Sequence, residues 1–393
     1  MKDTKLVILG AGIGGLSVIK ELAESGVALD DLDLTIVDED FSHFLGFTLP
    51  WVLRGWREEG SVPIEPTVSA LRGVNTVTGT VADIDHSARV VTLADGDEIG
   101  FDALIIATGA RNVIDKVPGL RDSVDAGSAV HYYSAEAAAA AHAALQQFSG
   151  GRLVFLVTSL PYRCPVAPYE GALLAADLLR DNGHREATDI AVYTPEKQPM
   201  PSAGPYAGLE LVEMLGANDI GFHGEHAVER IDAEHKVIHF ADGTATEFDL
   251  LVFVPPHEPA VTIDGAGWIT VDAEMATGYP GIFAIGDAAA VTAESGRPLP
   301  KAAIFAKNGA RAAARNALRY LGRVGDGAAM SGEGYCYIDV GGHVSAQGKG
   351  NFFATPHPTI HLTEPSELLH RDKQTEENEW RALWERAAVP AGR

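Results

Sequence analysis

Leu6-Val7-Ile8-Leu9-Gly10-Ala11-Gly12-Ile13-Gly14-Gly15 decides the fold. An apolar strand runs into a G-x-G-x-x-G turn, and Leu16, Ile19, Leu22 and Ala23 follow at helical spacing. The next strand-like run, Leu34-Thr35-Ile36-Val37, ends in Asp38, about twenty residues beyond the glycines. Glycines at such a turn let backbone N–H groups approach a pyrophosphate at the helix N-terminus, while the acid accepts a ribose hydroxyl. This order predicts a dinucleotide-binding domain with Gly10, Ala11, Gly12, Gly14, Gly15 and Asp38 against its ligand.

Working outward, residues 76–81 and 90–93 read as strands of a meander, with Asp95-Gly96 as its turn and 99–106 as the return to the sheet. That return ends in Ala107-Thr108-Gly109, a tight exit, and Val81, Ala107, Thr108 and Gly109 are expected beside the nucleotide. An Ala-rich helix is predicted over 134–148. A second α/β unit follows, with strands near 152–157, 189–193 and 250–254, a helix to about Arg180, and a meander over 227–246 around Asp242-Gly243. The chain then returns to the first unit through a strand ending in Gly286-Asp287 and a long helix over 301–321. The expected class is α/β: two Rossmann-like dinucleotide-binding domains and a C-terminal α+β region. The boundaries are 1–110 and 256–330 for the first domain, 111–255 for the second and 331–393 for the last.

Composition narrows the function. The chain has 393 residues, 46% hydrophobic and 21% charged, enough for two or three ordinary globular domains. A net charge of −24 repels phosphates and excludes nucleic acid as partner. Two cysteines do not make a secreted disulfide framework, and no histidine or cysteine cluster has metal-site spacing. No apolar run reaches membrane-spanning length, and Met1 to Lys5 leads straight into the first strand. A cytoplasmic protein with at most peripheral membrane contact is expected.

The second unit breaks the nucleotide rule. Where glycines should meet a second pyrophosphate stand Thr158-Ser159-Leu160-Pro161, followed by Tyr162-Arg163-Cys164-Pro165-Val166-Ala167-Pro168-Tyr169-Glu170. Prolines bring no N–H, so a nicotinamide nucleotide is not expected to dock there. A thiol takes its place. Cys164 precedes a helix, whose dipole should favour thiolate and lower its pKa, and Arg163 adds positive charge. Exchange needs a resolving partner, and the chain has one other cysteine, Cys336. Glu170 is the nearest acid in sequence, read either as a general acid or base or as an N-terminal helix glutamate favoured by the dipole.

Two resemblances follow from these residues. Thr277-Gly278-Tyr279-Pro280-Gly281-Ile282-Phe283-Ala284-Ile285-Gly286-Asp287 resembles the second flavin fingerprint of glutathione-reductase-like flavoproteins, whose terminal Asp bonds the ribitol of FAD. It implies FAD as cofactor, with Gly286 and Asp287 in contact. Lys301, at the start of the long helix, is then either a partner for the pyrimidine edge of reduced flavin or a solvated lysine. The whole chain resembles the sulfide:quinone oxidoreductases and the flavoprotein subunit of flavocytochrome c sulfide dehydrogenase. The motifs are Phe47-Thr48-Leu49-Pro50-Trp51-Val52 with Gly55-Trp56-Arg57, the Cys164 to Glu170 run, Pro300-Lys301, and Gly334-Tyr335-Cys336-Tyr337.

That family resemblance implies a redox-active disulfide between Cys164 and Cys336 on the isoalloxazine face. Sulfide, or a small persulfide or thiol, attacks it, and electrons pass through FAD to a quinone, with cytochrome c as the other acceptor considered. Two departures stand out: no third cysteine lies near Tyr132-Tyr133, and residues 41–47 hold none for a thioether to flavin, leaving His43 as another linkage. His131 and His257 are candidates near the flavin, His357 and His361 near the quinone side. Phe352-Phe353, the proline turn at 356–358 and the Trp380/Leu383/Trp384 face are expected to form an apolar quinone mouth. Core packing or a contact with a second copy is the alternative for that face. Two rival functions remain at this stage: a type II NADH:quinone oxidoreductase and a flavin-dependent redox sensor that switches through the cysteine pair.

Overall fold

Two parallel five-stranded sheets organise the computed structural model, which describes residues 4–29, 32–265 and 267–385. The first has the order Ile282–Ala284, Ala103–Ile106, Lys5–Leu9, Asp33–Asp38, Asn75–Thr78. Its central strand reads as an unbroken apolar run because both faces are covered, and Leu6, Val7, Ile8 and Leu9 are all buried. Helices Ile13–Glu24 and Ala303–Tyr320 pack together on one face. The second sheet has the order Ile220–His223, Thr188–Tyr193, Gly151–Val157, Leu250–Val254, Ala129–Val130.

Helix Ala167–Asp181 is buried almost all round, so it lacks an amphipathic stripe. It lies against helix Leu49–Arg54, strand Thr188–Tyr193 and strand Glu333–Gly341. That last strand pairs antiparallel with Val344–Asn351, and helix Glu367–Trp384, capped by the Ser366 side chain, closes the described chain. Residues 386–393 of the expected last domain lie outside the described residues. Among the described residues, no helix is long and apolar enough to cross a membrane.

Several local expectations shift. The run 76–81 divides: Asn75–Thr78 joins the parallel sheet, and Val81–Asp85 starts a three-stranded antiparallel sheet with Val90–Leu93 and Glu98–Gly100. The run 99–106 divides likewise before Ala103–Ile106. β-propensity is continuous through both runs, and only the tertiary choice of partner separates them. The long helix begins at Ala303, so Lys301 precedes it. Trp380 and Trp384 are buried whereas Leu383 is 49% exposed, which splits the proposed apolar face. Trp380 Nε1 donates to His43 Nε2 at 2.8 Å, and Thr67 N–H donates to the Trp384 carbonyl at 2.9 Å. The tail helix is core packing against the first unit.

The glycine turn yields a sharp contrast. A Cβ on Gly15 would stand 1.8 Å from the Gly10 carbonyl, whereas one on Gly12 meets nothing within 4 Å. Gly15→Ala is expected to destabilise the protein by about 2 kcal/mol or more through overpacking against rigid backbone. Gly12→Ala should lower the chemical-denaturation midpoint of the ligand-free protein far less, by no more than the loss of a glycine helix cap. Equal midpoints for the two variants would refute this account of the turn.

Candidate active site

A cavity of about 580 Å³ opens where the strands of the first sheet end, within the roughly 300–1,000 Å³ usual for cofactor sites. Gly10, Gly12, Gly14, Asp38, Val81, Ala107, Thr108, Gly109, Gly286, Asp287 and Lys301 border it, and so do Cys164, Glu170 and Cys336. Two expected contacts do not. Ala11 is buried and donates its N–H to Asp38 Oδ2 at 2.6 Å, and Gly15 permits the close turn. Both shape the loop from behind.

The residues present fit a dinucleotide. Gly12 caps helix Ile13–Glu24 without a side-chain bond, so the first-turn N–H groups are available to an anion. Thr108 Oγ1, Tyr133 OH and Arg163 Nε are buried without a partner, and all three residues border the cavity. Unpartnered buried polar atoms of this kind mark places for ligand or water.

Lys301 is buried rather than solvated. Its Nζ donates to the Asp287 carbonyl at 2.7 Å and the Ala289 carbonyl at 3.1 Å, and stands 3.6 Å over the Trp268 ring. Burial brings its pKa down to about 8, partly offset by Asp287. The ammonium is engaged in holding the Gly286-Asp287 turn. Asp287 itself is pushed up by burial, against the pull of Arg163 and Lys301.

Cys164 sits in the left-handed region with φ +60°, a conformation uncommon outside glycine and often found at functional sites. Its N–H donates to the Lys301 carbonyl at 2.7 Å, and its carbonyl accepts from Ala167 N–H at 3.1 Å. The expected lowering of its pKa is overturned. Burial pushes the thiol up to about 11, helped by Glu170, and outweighs the backbone N–H groups of Val166 and Ala167 and the charge of Lys373. Arg163 does not serve the thiol: its guanidinium bonds Asn112 Oδ1 at 2.8 Å and the Tyr133 carbonyl at 3.2 Å. Cys336, on strand Glu333–Gly341, is raised further by burial and by the charge of Cys164. Both are free thiols.

Glu170 Oε1 accepts from Lys373 Nζ at 2.6 Å and from Asp339 N–H at 2.9 Å. Burial raises its pKa to about 7, with Lys373 opposing and Asp339 adding. Lys373 and Asp339 escaped the sequence reading. The one signal was phase: Lys373 stands a heptad before buried Trp380, so it shares the inward face of the tail helix.

The histidine candidates do not border the cavity. Burial lowers His131 to about 4 and His257 to about 3, while His357 bonds the Pro358 carbonyl and His361 pairs with Glu210. His43 does border it, with Nε2 accepting from Trp380, and burial lowers it to about 4. From the expected quinone mouth over 351–384, Glu376 alone borders the cavity, and Phe352 packs edge-on against Phe305. In the second unit, Tyr162 and Tyr169 hydroxyls both donate to Glu196 Oε2 at 2.9 Å. Asp38 is the last residue of its strand, whereas Glu196 lies three residues past the end of strand Thr188–Tyr193 and is engaged by tyrosines of the cysteine loop and its helix.

Comparison with known proteins agrees with this architecture. Residues 4–156 and 170–313 match the family described as pyridine nucleotide-disulphide oxidoreductase. The chain is 26% identical over 322 residues to a mitochondrial sulfide:quinone oxidoreductase of Mus musculus, covering 74% of this chain and 69% of that one. It is 25% identical over 319 residues to a type II NADH:quinone oxidoreductase of Mycobacterium tuberculosis, covering 72% and 66%. The sulfide:quinone oxidoreductase structure from Aquifex aeolicus superposes with a TM-score of 0.84 at 18% identity, covering 98% of this chain and 93% of that one.

The raised thiol pKa has a direct consequence. Thiolate is the nucleophile, and its fraction grows tenfold per pH unit until pH reaches the pKa. In reduced Cys336→Ser protein, Cys164 should be alkylated at neutral pH on the order of a hundredfold more slowly than an ordinary thiol. The rate should keep climbing toward pH values of about 11. A plateau near neutrality would show instead that the helix dipole wins over burial.

Proposed function

The chain belongs to the pyridine nucleotide-disulphide oxidoreductase family, and on that footing we propose that it is an FAD-dependent enzyme that oxidises sulfide, or a small persulfide or thiol, and delivers the electrons to a quinone. One observation carries this reading: the two cysteines, from distant parts of the chain, border the same cavity as the glycine turn. Similarity to a named sulfide:quinone oxidoreductase supports it.

The Gly12–Gly14 turn would hold the pyrophosphate of FAD, Asp38 the adenosine ribose and Asp287 the ribitol. When bound, the flavin would supply a two-electron acceptor. The protein's own part is sulfur exchange. In the oxidised state Cys164 and Cys336 form a disulfide; the substrate sulfur attacks one of the pair, and Glu170 manages the proton. Quinone is the acceptor on this reading, reached by peripheral contact with a membrane, and cytochrome c is the acceptor it competes with. A second copy of the chain remains the candidate protein partner.

Similarity to a type II NADH:quinone oxidoreductase favours a second reading. Against it, Thr158-Ser159-Leu160-Pro161 offers no glycine cradle, and Tyr162 and Tyr169 engage Glu196. A redox sensor built on the same thiols would turn over no sulfur donor at all.

Anaerobic stopped-flow separates the three. Sulfide should bleach the flavin band quickly and NADH far more slowly. Cys164→Ser and Cys336→Ser should each abolish the sulfide reaction with flavin retained, and the double variant should be little worse than either, because the pair acts as one unit. Fast saturable reduction by NADH with sulfide inert would overturn the proposal. Rapid reoxidation by cytochrome c but not by a short-chain quinone would overturn the acceptor alone.

A further inference from the structure

One ammonium stands between two buried carboxylates. Lys373 Nζ lies 2.6 Å from Glu170 Oε1 and 2.7 Å from Asp339 Oδ2, with all three side chains at most 1% exposed. The acids are unequally served. Asp339 also accepts from Trp51 Nε1 at 2.6 Å, from His370 Nδ1 at 2.7 Å and from the Ser345 hydroxyl. Glu170 has one further donor, Asp339 N–H, and it falls on the same oxygen that Lys373 occupies. Among the described residues, no donor falls on its Oε2, and Glu170 borders the cavity.

We propose that Lys373 and Asp339 are positioning residues that make Glu170 the exchangeable proton site of the cavity, through which the proton of an incoming S–H group reaches the departing cysteine sulfur. A carboxylate that accepts four donors stays ionised and takes up most of the lysine charge, so the other acid is the one left to bind a proton. This rests on the sulfur-exchange reading above. In that step the substrate sulfur forms a bond to one sulfur of the Cys164–Cys336 disulfide, and the S–S bond breaks with its electron pair on the other sulfur. The substrate proton goes to Glu170 Oε2 and then to that sulfur, leaving a persulfide and a thiol. No electron leaves the protein, and no further reactant is needed.

The groups facing Glu170 come from every neighbouring element. They are Cys164 from its own loop, Tyr132 and Tyr133 from the segment after Ala129–Val130, Cys336 and Asp339 from the hairpin strand, and Lys373 from the tail helix. Lys373 is the cation among them.

Infrared titration of the carboxylic acid C=O band, assigned by its loss in Glu170→Gln, tests the inference without any substrate. The wild-type midpoint should fall at about 7. Lys373→Met should raise it by about 1–3 units, the usual effect of removing an adjacent opposite charge, and Asp339→Asn should lower it by releasing the lysine to Glu170. A merely structural role moves both variants the same way or neither. That result, or a wild-type midpoint in the ordinary carboxylate range, overturns the assignment. The wild-type titration decides even if a variant fails to fold. The acid limb of flavin reduction by sulfide should follow the same midpoints. Opposite infrared shifts with sulfide inert would support the positioning role and overturn the sulfur chemistry alone.

Discussion

A fully buried lysine must be paired, and that constraint ties the site together. Lys373 comes from the tail helix, Glu170 from the first turn of helix Ala167–Asp181, and Asp339 from the C-terminal hairpin. Breaking a buried pair of this kind by removing one partner costs about 3–5 kcal/mol, so the three elements dock as a unit. Glu170 also accepts the Asp339 N–H, which fixes the hairpin strand against the helix. Cys336 lies on that same strand, three residues before Asp339. Setting one carboxylate therefore sets the distant thiol into the Cys164 cavity.

A second tie joins the thiol loop to the nucleotide loop. Cys164 N–H bonds the Lys301 carbonyl, and the Lys301 ammonium holds the carbonyls of the Asp287 turn. The left-handed backbone of Cys164 is kept in place by these contacts rather than by intrinsic preference. The acids after the second strands of the two α/β units are used differently. Asp38 supports its glycine turn through Ala11, while Glu196 is engaged by tyrosines of the cysteine loop and its helix.

Much of this was legible where the cause is local. The glycine turn, Asp38 and the Gly286-Asp287 strand end are short patterns whose geometry their own neighbours dictate, and all border the cavity except Ala11 and Gly15, which shape it from behind. What the sequence could not convey depends on distance. Lys373 and Glu170 are 203 positions apart, and no local pattern marks them as partners. The Cys164 pKa failed for the same reason: a helix dipole is visible in sequence, but the burial that outweighs it arises only on assembly. The Trp380/Leu383/Trp384 face misled because i, i+3, i+4 spacing defines an arc of the helix without saying where the buried arc ends.

Raised thiol pKa values look unfavourable for a redox centre until charge is followed through the proposed cycle. Burial penalises a thiolate, but a disulfide, a persulfide and a thiol are neutral and carry no such cost. A cavity that opposes thiolate therefore favours any path in which a proton arrives as the sulfur departs. A cysteine with a high pKa is also a poor leaving group as an anion, so exchange there needs an acid within reach. Glu170, raised to about 7, can hold or release a proton near neutrality, whereas Asp339 is kept ionised by Lys373 and its own hydrogen bonds. The same burial that slows free thiolate chemistry makes the glutamate useful. Thiols and carboxylate are then parts of one proton balance.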